Sequence, residues 1–351
     1  MIETRELTAE TAASFQTMYG VFQNMAEAEY GWHDRPIDFD ALVDLLRQKV
    51  IRGLLIVDGV TEEVQGFLLY MVEAHDAIEL NVIHIPPDKP WKSMMDTLMK
   101  DFLRVIQEIP NWKTVSFPML GIQERFVLTT HWYGFKPKGQ AIQAFDLMEE
   151  LSLPVLHKQH TDMPDVPEGY RFTTWKPAYR DSIAEAIYQS FKETDDALWD
   201  PRFQSLEGAY QAIDVMESNL MGIFKPEWTS IMLEGERPVG FCFLVQTGGM
   251  EANIALIGLH PDIQQKGLGK QLLRHNLMTI VQGIVDKKWM VGKITATMST
   301  DFPPAIHLYR RFGFIEQENY PHAYLTHETA ANSYYGRAIF SKQSAGCCHS
   351  S

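Results

Sequence analysis

The stretch EANIALIGLHPDIQQKGLGKQLLRHNLMTI, which spans residues 251–280, decides the fold of this chain. Its apolar run at 254–259 is long enough for a strand buried on both faces, and a His-Pro-Asp sequence stops that run. Leucines at 268, 272, 273 and 277 follow at helical spacing. The sequence therefore predicts a strand that passes through a glycine-containing loop into a helix.

The loop between this strand and this helix suits an anion. The first-turn amides of a helix have no intrahelical acceptor, and the helix dipole adds partial positive charge there. Gly267 and Gly269 let a pyrophosphate approach the main chain, and Lys266 and Lys270 add charge. An ordinary helix entry with two convenient glycines explains the same residues. A Walker loop and the dinucleotide fingerprint are both incomplete, the second because Leu272 replaces its third glycine.

The stretch resembles motif A of the GNAT superfamily of acyl-CoA-dependent N-acyltransferases. In that motif, Arg/Gln-x-x-Gly-x-Gly/Ala follows a strand that ends in an apolar-x-Pro-Asp segment. The matching positions here are Leu259, Pro261, Asp262, Gln264, Gly267 and Gly269. The family uses the loop to bind the pyrophosphate of coenzyme A. The resemblance implies that acetyl-CoA contacts Ile257, Leu259, Gln264, Gln265, Lys266, Gly267, Leu268, Gly269 and Lys270.

A second segment, AIHLYRRFGF at 305–314, resembles the A-x-x-L-Y-x-x-x-G-F signature of the same family. From its residues alone it reads as a short helix that Gly313 ends, and such an apolar stripe is more often core than site. The resemblance implies that Tyr309 is the general acid for the leaving thiolate. A core tyrosine whose hydroxyl bonds the backbone is the alternative. Phe302 stands where the family commonly has an asparagine.

The general base is not fixed by the motif. The family often has a glutamate early on the central strand, but the matching position is Asn253, which cannot take a proton at neutral pH. Glu251 lies two residues earlier and hence on the same strand face, so it is the candidate base, acting through water. A free surface glutamate is the competing interpretation.

The resemblance implies an N-acetyltransferase that moves an acetyl or other short acyl group from acetyl-CoA to a primary amine of a small molecule by direct attack. Two alternatives stay open. One is an acyl-CoA-binding regulator or scaffold without catalysis, which the missing strand glutamate favours. The other is acylation of a protein N-terminus or lysine. The loop at 192–201 carries three aspartates beside Trp199; these are either solvated or hold an ammonium group.

The first half of the chain looks like a second copy of the same domain. A shift of 174 residues superimposes Gly66-Phe67 on Gly240-Phe241 and Pro87-Asp88 on Pro261-Asp262. With five residues inserted, Gly134-Phe135 matches Gly313-Phe314. The predicted fold is therefore α/β (α+β): two tandem GNAT-like domains, each a mixed, mostly antiparallel twisted sheet flanked by helices. The predicted divisions are a degenerate domain at 1–150, a linker at 151–168, a catalytic domain at 169–341 and a disordered tail at 342–351. We expect strands at Tyr320–Thr326 and Gly336–Phe340 to close the sheet.

The first copy lacks the residues that the motif requires. Pro90 replaces Gln264, Ser93 replaces Gly267, Met95 replaces Gly269, and Thr130 stands where Tyr309 does. A proline supplies no amide, and Cβ atoms at the glycine positions would crowd a diphosphate. We therefore expect residues 1–150 not to bind coenzyme A in the usual way.

Composition sets the remaining expectations. The 351 residues are 45% hydrophobic and 22% charged, which suits two globular domains. No membrane span or signal peptide is indicated, so a cytoplasmic protein without a membrane partner is expected. A net charge of −14 argues against a nucleic-acid partner. The three cysteines form no disulfide framework, and Cys347-Cys348-His349 reads as a disordered end rather than a metal site, so no metal is expected. The protein is expected to be a monomer or a homodimer.

Overall fold

The computed structural model describes residues 2–29, 37–72, 77–148 and 165–340. The chain forms two compact units: the first contains Met1–Lys138 and Tyr320–Ser351, and the second contains Gly139–Asn319. The predicted linker up to residue 164 and the predicted tail, with Cys347, Cys348 and His349, lie outside the described residues.

The first unit is built on a sheet in the order β1-β2-β3-β4-β5-β13. Only β4 and β5 pair in parallel; every other neighbouring pair is antiparallel. The strands are β1 (Ile2–Leu7), β2 (Ile51–Asp58), β3 (Val64–Val72), β4 (Ala77–His84), β5 (Thr114–Pro118) and β13 (Ile315–Thr326). The helices are α1 (Gln16–Glu29), α2 (Phe39–Arg47), α3 (Trp91–Gln107), α4 (Val127–His131), α9 (His327–Ala331) and α10 (Gly336–Phe340).

The second unit repeats this order as β6-β12-β11-β10-β9-β7, with β8 paired to β10. Again a single neighbouring pair, β11 and β12, is parallel. The strands are β6 (Lys136–Asp146), β7 (Tyr170–Thr173), β8 (Ile223–Phe224), β9 (Ser230–Glu234), β10 (Arg237–Gly248), β11 (Glu251–Leu259) and β12 (Lys293–Ser299). The helices are α5 (Arg180–Phe191), α6 (Leu206–Glu217), α7 (Leu268–Val285) and α8 (Pro303–Arg311). The predicted mixed, mostly antiparallel sheets flanked by helices are confirmed in both units.

Each face of the second sheet has its own apolar core. Ile254 and Ile294 pack with the leucines of α7 and with Tyr309 of α8 in one cluster. Phe241 and Phe243 pack with α5 and α6 in the other cluster, on the opposite face. Because neighbouring residues of a strand point to opposite faces, β9, β10 and β11 contribute side chains to both cores. The two faces therefore present different helices to the middle of the sheet.

The predicted domain boundaries at 150 and 169 differ from the compact units. Gln140 to Asp146 of β6 pair with β12, so this end of the first half belongs to the second unit. His322 to Thr326 of β13 pair with β5, so this end of the second half belongs to the first unit. Both pairings join residues more than 140 positions apart, so no local feature of the sequence reveals them. The boundaries predicted from the sequence therefore differ from those of the compact units.

The predicted strand at Gly336–Phe340 is wrong, because these residues form α10. Gly336 and Phe340 are its buried residues, and four-residue spacing puts them on one face of a helix. Gly336 also lies against Ala330, since a Cβ there would come within 2.4 Å of the Ala330 carbonyl oxygen. Among the described residues, no helix is both long and apolar enough to cross a membrane.

Candidate active site

The centre of the second unit is a fork between β11 and β12. The two strands pair at Glu251–Lys293, Ala252–Ile294 and Asn253–Thr295, and the pairing ends there although both strands continue. The register between β10 and β11 shifts just beyond the last of these pairs. Leu244 faces Ile254 and Phe243 faces Leu256, so Ala255 is an extra residue of β11. An extra residue in a strand bends it, so this bulge turns β11 away from β12. We call the gap between the separated strands the fork.

The edge of β11 that borders the fork offers backbone groups for pairing. His260 donates its N–H to the carbonyl of Val239 at 2.8 Å, which is a bond toward β10. In an antiparallel pair such bonds alternate, so Ile257 and Leu259 direct their N–H and C=O groups away from β10. The Leu259 carbonyl accepts from Gln264 Nε2 at 2.9 Å and from Ser190 Oγ at 2.8 Å. An extended ligand that carries amides can therefore pair with Ile257 where β12 no longer does.

The loop that follows β11 brings a helix start to the same end of the strand. Gln265 and Gly267 both have positive φ, at 61° and 77°, and Gly267 caps α7. A Cβ on Gly267 would meet nothing within 4 Å, and a Cβ on Gly269 would meet only Leu259, at 3.8 Å. Packing among the described residues therefore leaves room beside both glycines. The open first turn fits a pyrophosphate, which free helix amides and the helix dipole would hold.

The other loop residues divide by burial. Leu268 is buried at 2% exposure, so its side chain belongs to the core and only its backbone can contact a ligand. Gln264, Gln265 and Lys266 are exposed, and Lys270 is partly exposed. The side-chain amide of Gln264 holds the end of β11, so it fixes the strand relative to the loop.

Tyr309 of α8 approaches the sheet from the face that α7 covers. It is 3% exposed, and its ring packs edge-on against Phe314 at 5.0 Å. Burial raises the pKa of its hydroxyl well above the ordinary value, and the Cys242 thiol contributes to the shift. Cys242 lies opposite Ile257 in the β10–β11 pair, which places Tyr309 at the level of the fork. The phenol is therefore protonated at neutral pH, as a proton donor must be.

Glu251 and Asn253 lie on the opposite face from Tyr309. Ala252 and Ile254 pack in the same cluster as Tyr309. Because side chains alternate along a strand, Asn253 and Glu251 point to the other face of the sheet. Asn253 Nδ2 is 3.0 Å from Thr295 Oγ1, which is 3.3 Å from Glu251 Oε1. Lys293 Nζ lies 3.6 Å from Glu251 Oε2. An acid and a carboxylate thus approach the fork from opposite faces of one sheet.

The first unit has the same fork, but one of its own side chains fills it. β4 and β5 pair at three positions, from Ala77–Thr114 to Glu79–Ser116, and then separate. The Gln123 amide accepts from the N–H of Ile83 at 3.0 Å and donates to its carbonyl at 2.9 Å. Ile83 corresponds to Ile257 under the 174-residue shift. The backbone groups of Ile83 that correspond to those of Ile257 are thus already paired, which supports the prediction that residues 1–150 do not bind coenzyme A in the usual way.

The structure brings most of the predicted site residues to one place. Ile257 and Leu259 border the fork, residues 264–270 form the loop and helix start beside it, and Tyr309 and Glu251 reach it from either face. Sequence reasoning missed Thr295, because the register that sets it opposite Asn253, 42 residues away, has no local signal. It also missed Ser190, whose bond to Leu259 spans 69 residues.

The comparisons with known proteins agree with this geometry. Residues 227–316, which include β11, the loop, α7 and Tyr309, match the family model described as Acetyltransferase (GNAT) domain. The second unit contains a GNAT acetyltransferase domain. A mycothiol acetyltransferase from Actinosynnema mirum is 24% identical over 155 residues, which are 44% of this chain and 47% of that protein. The matched part of the chain therefore spans about half the length of this relative.

Two solved structures extend the likeness beyond this GNAT domain. A GCN5-related N-acetyltransferase from Sphaerobacter thermophilus has a TM-score of 0.61 at 16% identity, covering 93% of this chain and 95% of its own. A tandem GNAT protein from the clavulanic acid biosynthesis pathway has a TM-score of 0.58 at 15% identity, covering 93% and 98%. At such identities the likeness concerns the fold. It shows a GNAT-like fold over most of the chain and is consistent with two GNAT-like units.

Proposed function

We propose that the second unit transfers an acetyl or other short acyl group from acetyl-CoA to a primary amine of a small molecule. The observation that carries this proposal is the fork, which ends at a helix start with open space above two glycines. A pyrophosphate on the first turn of α7 would place the attached chain along the edge of β11. Its amides would pair with Ile257, and its thioester would lie between Tyr309 and Glu251.

Direct attack on the thioester requires a neutral amine. A lysine-like amine with a pKa of about 10.4 is neutral in only about one molecule in 2,500 at pH 7. Glu251, through a water molecule, would take the proton that the amine loses as the new C–N bond forms. A backbone N–H at the bulge of β11 would donate to the thioester oxygen as negative charge develops there. As the C–S bond breaks, Tyr309 would give its proton to the leaving thiolate, whose pKa is about 8.5 by analogy with cysteine.

Binding is tested by calorimetric titration of acetyl-CoA into the full chain. We expect one site, and we expect Gly269→Asp to abolish it. The new carboxylate would sit in the first helical turn, where it suits the helix dipole and has room, but it would repel a pyrophosphate. The control is Ser93→Asp, which adds a carboxylate at an exposed position of the corresponding helix start in the first unit, and it should bind as the wild type does. Absence of binding to the wild type would refute the acyltransferase proposal.

Turnover is tested by following the release of free thiol from acetyl-CoA with a panel of primary amines. The panel includes peptides with a free N-terminus or a lysine. Preference for small amines supports the proposal, whereas preference for peptides would reassign the chain as a protein acetyltransferase. Binding without thiol release to any amine or to water would identify a regulator that only holds acyl-CoA.

A further inference from the structure

Thr295 links the two polar side chains that β11 presents at the fork. It lies on β12 with 6% exposure, directly opposite Asn253 in the last pair before the strands separate. Its hydroxyl oxygen is 3.0 Å from Asn253 Nδ2 and 3.3 Å from Glu251 Oε1. The three side chains thus form a short chain of hydrogen bonds on one face of the sheet.

The direction of these hydrogen bonds follows from the chemistry of the groups. The Asn253 amide donates an N–H to Thr295 Oγ1, so the hydroxyl acts there as acceptor. Its single proton then has two possible acceptors, the Glu251 carboxylate and the Ala252 carbonyl at 3.4 Å. A carboxylate is the stronger acceptor because it is charged. The proton therefore points at Glu251, and the chain runs from Asn253 through Thr295 to Glu251.

We propose that Thr295 is a positioning residue for Glu251. This inference rests on the proposed acyl transfer. With one carboxylate oxygen held by Thr295, the Glu251 side chain keeps a single orientation beside the fork. Lys293, at 3.6 Å from the other oxygen, is partly exposed and adds charge rather than a fixed geometry. The arrangement also gives Asn253 a role, because its amide holds the Thr295 hydroxyl in the donating orientation.

The test compares two substitutions of one side chain in the full protein. Thr295→Val keeps the shape and removes the hydroxyl, and it should lower kcat for thiol release from acetyl-CoA about tenfold, with KM for acetyl-CoA unchanged. Thr295→Ser keeps the hydroxyl and should restore kcat to within about twofold of the wild type. The reaction is followed with water as acceptor and with the best amine of the panel.

Thr229→Val is the matched control. Thr229 is 1% exposed, and its buried hydroxyl has no hydrogen-bond partner among the described residues. This substitution removes a buried hydroxyl from the same unit without touching the fork, so kcat should not change. An equal loss in both valine variants would mean a general effect of repacking and would overturn the proposal.

The Glu251→Gln background decides whether Thr295 acts through Glu251. We expect Thr295→Val to have no further effect on kcat there, since effects that pass through one group do not add. A second tenfold loss in that background would overturn the positioning role. If the wild type releases no thiol with any acceptor, the proposed function itself fails. If the wild type is active and Glu251→Gln is fully active, only the roles of Glu251 and Thr295 fail.

Discussion

Gln123 holds Ile83 by both of its backbone polar groups, with bonds of 3.0 Å from the N–H and 2.9 Å to the carbonyl. Gln123 is 2% exposed and stands 40 residues from its partner. One side-chain amide therefore satisfies the backbone hydrogen bonds of Ile83 that a neighbouring strand would otherwise make. Gly134-Phe135 and Gly313-Phe314 are 179 residues apart, and the same offset matches Gln123 with Phe302 of the second unit. Phe302 is 53% exposed and has no side-chain amide that could pair with β11.

Gln123→Met keeps the side-chain volume but removes both hydrogen bonds. Because the Ile83 N–H and carbonyl would be left buried without partners, we expect the free energy of unfolding to fall by about 2–4 kcal/mol. Urea denaturation measures the loss, and hydrogen exchange of the β4 peptide locates it. Gln107→Met is the control, since Gln107 makes one bond to Ile339 at 3.2 Å and should cost about 1 kcal/mol or less. Equal losses would contradict the role of Gln123.

Tyr309→Phe removes only a hydroxyl that has no hydrogen-bond partner among the described residues. We expect kcat to fall about 100-fold while KM for acetyl-CoA and the thermal midpoint stay close to wild type. Burial raises the pKa of this hydroxyl, so Tyr309 stays protonated as the pH rises. Deprotonation of Tyr309 should therefore not lower the activity at any pH below about 10. Tyr19→Phe is the control: Tyr19 is buried in the first unit and bonds Ile37 at 2.8 Å, so the variant should lose stability but keep activity. An active Tyr309→Phe enzyme would make Tyr309 a core residue.

Gly267→Ala and Gly269→Ala should change stability in opposite directions when no ligand is present. Gly267 has a φ of 77°, so a Cβ there costs about 1–2 kcal/mol. Gly269 lies within α7 with room for a methyl group, so alanine should raise helix stability by up to about 1 kcal/mol. Thermal unfolding without acetyl-CoA measures both effects. A loss of equal size in the two variants would contradict the constraint assigned to the backbone conformation of Gly267.

Asp196→Asn should stabilise the protein at neutral pH. Burial, then Asp200 and Asp195, raise the pKa of the Asp196 carboxyl to about 6, compared with about 3.9 in the unfolded chain. The folded state therefore binds more protons than the unfolded state between about pH 4 and 6, so stability falls as pH rises through that window. The variant should gain about 1–2 kcal/mol at pH 7.5 and little at pH 4.

Urea denaturation at the two pH values measures this difference. Asp214→Asn is the control, because Asp214 is exposed and paired with Arg180 at 2.6 Å. It should lose rather than gain stability at pH 7.5. A stability difference for Asp196→Asn that does not change with pH would refute the assigned titration.

Local segments of the fold were predictable because their signals lie within a few residues. The strand at Glu251–Leu259, the helix beginning at Leu268 and the short helix that carries Tyr309 all follow from apolar spacing and from residues that stop an element. The division of the chain was not predictable in the same way. β6 and β13 each pair with a strand more than 140 residues away, and no composition change marks where they belong.

The sequence by itself determined the chemistry of the loop, because a glycine at 267 and a helix starting beside it create free amides wherever the segment is placed. The tertiary structure decided how that chemistry is used. The end of pairing at Asn253–Thr295 opens the fork, the alternation of strand faces separates Tyr309 from Glu251, and Gln123 closes the matching fork in the first unit. These relationships depend on hydrogen bonds between segments that lie far apart in the chain. The register of those strands is set by burial of their apolar side chains, because a slip of one residue would turn every side chain to the other face.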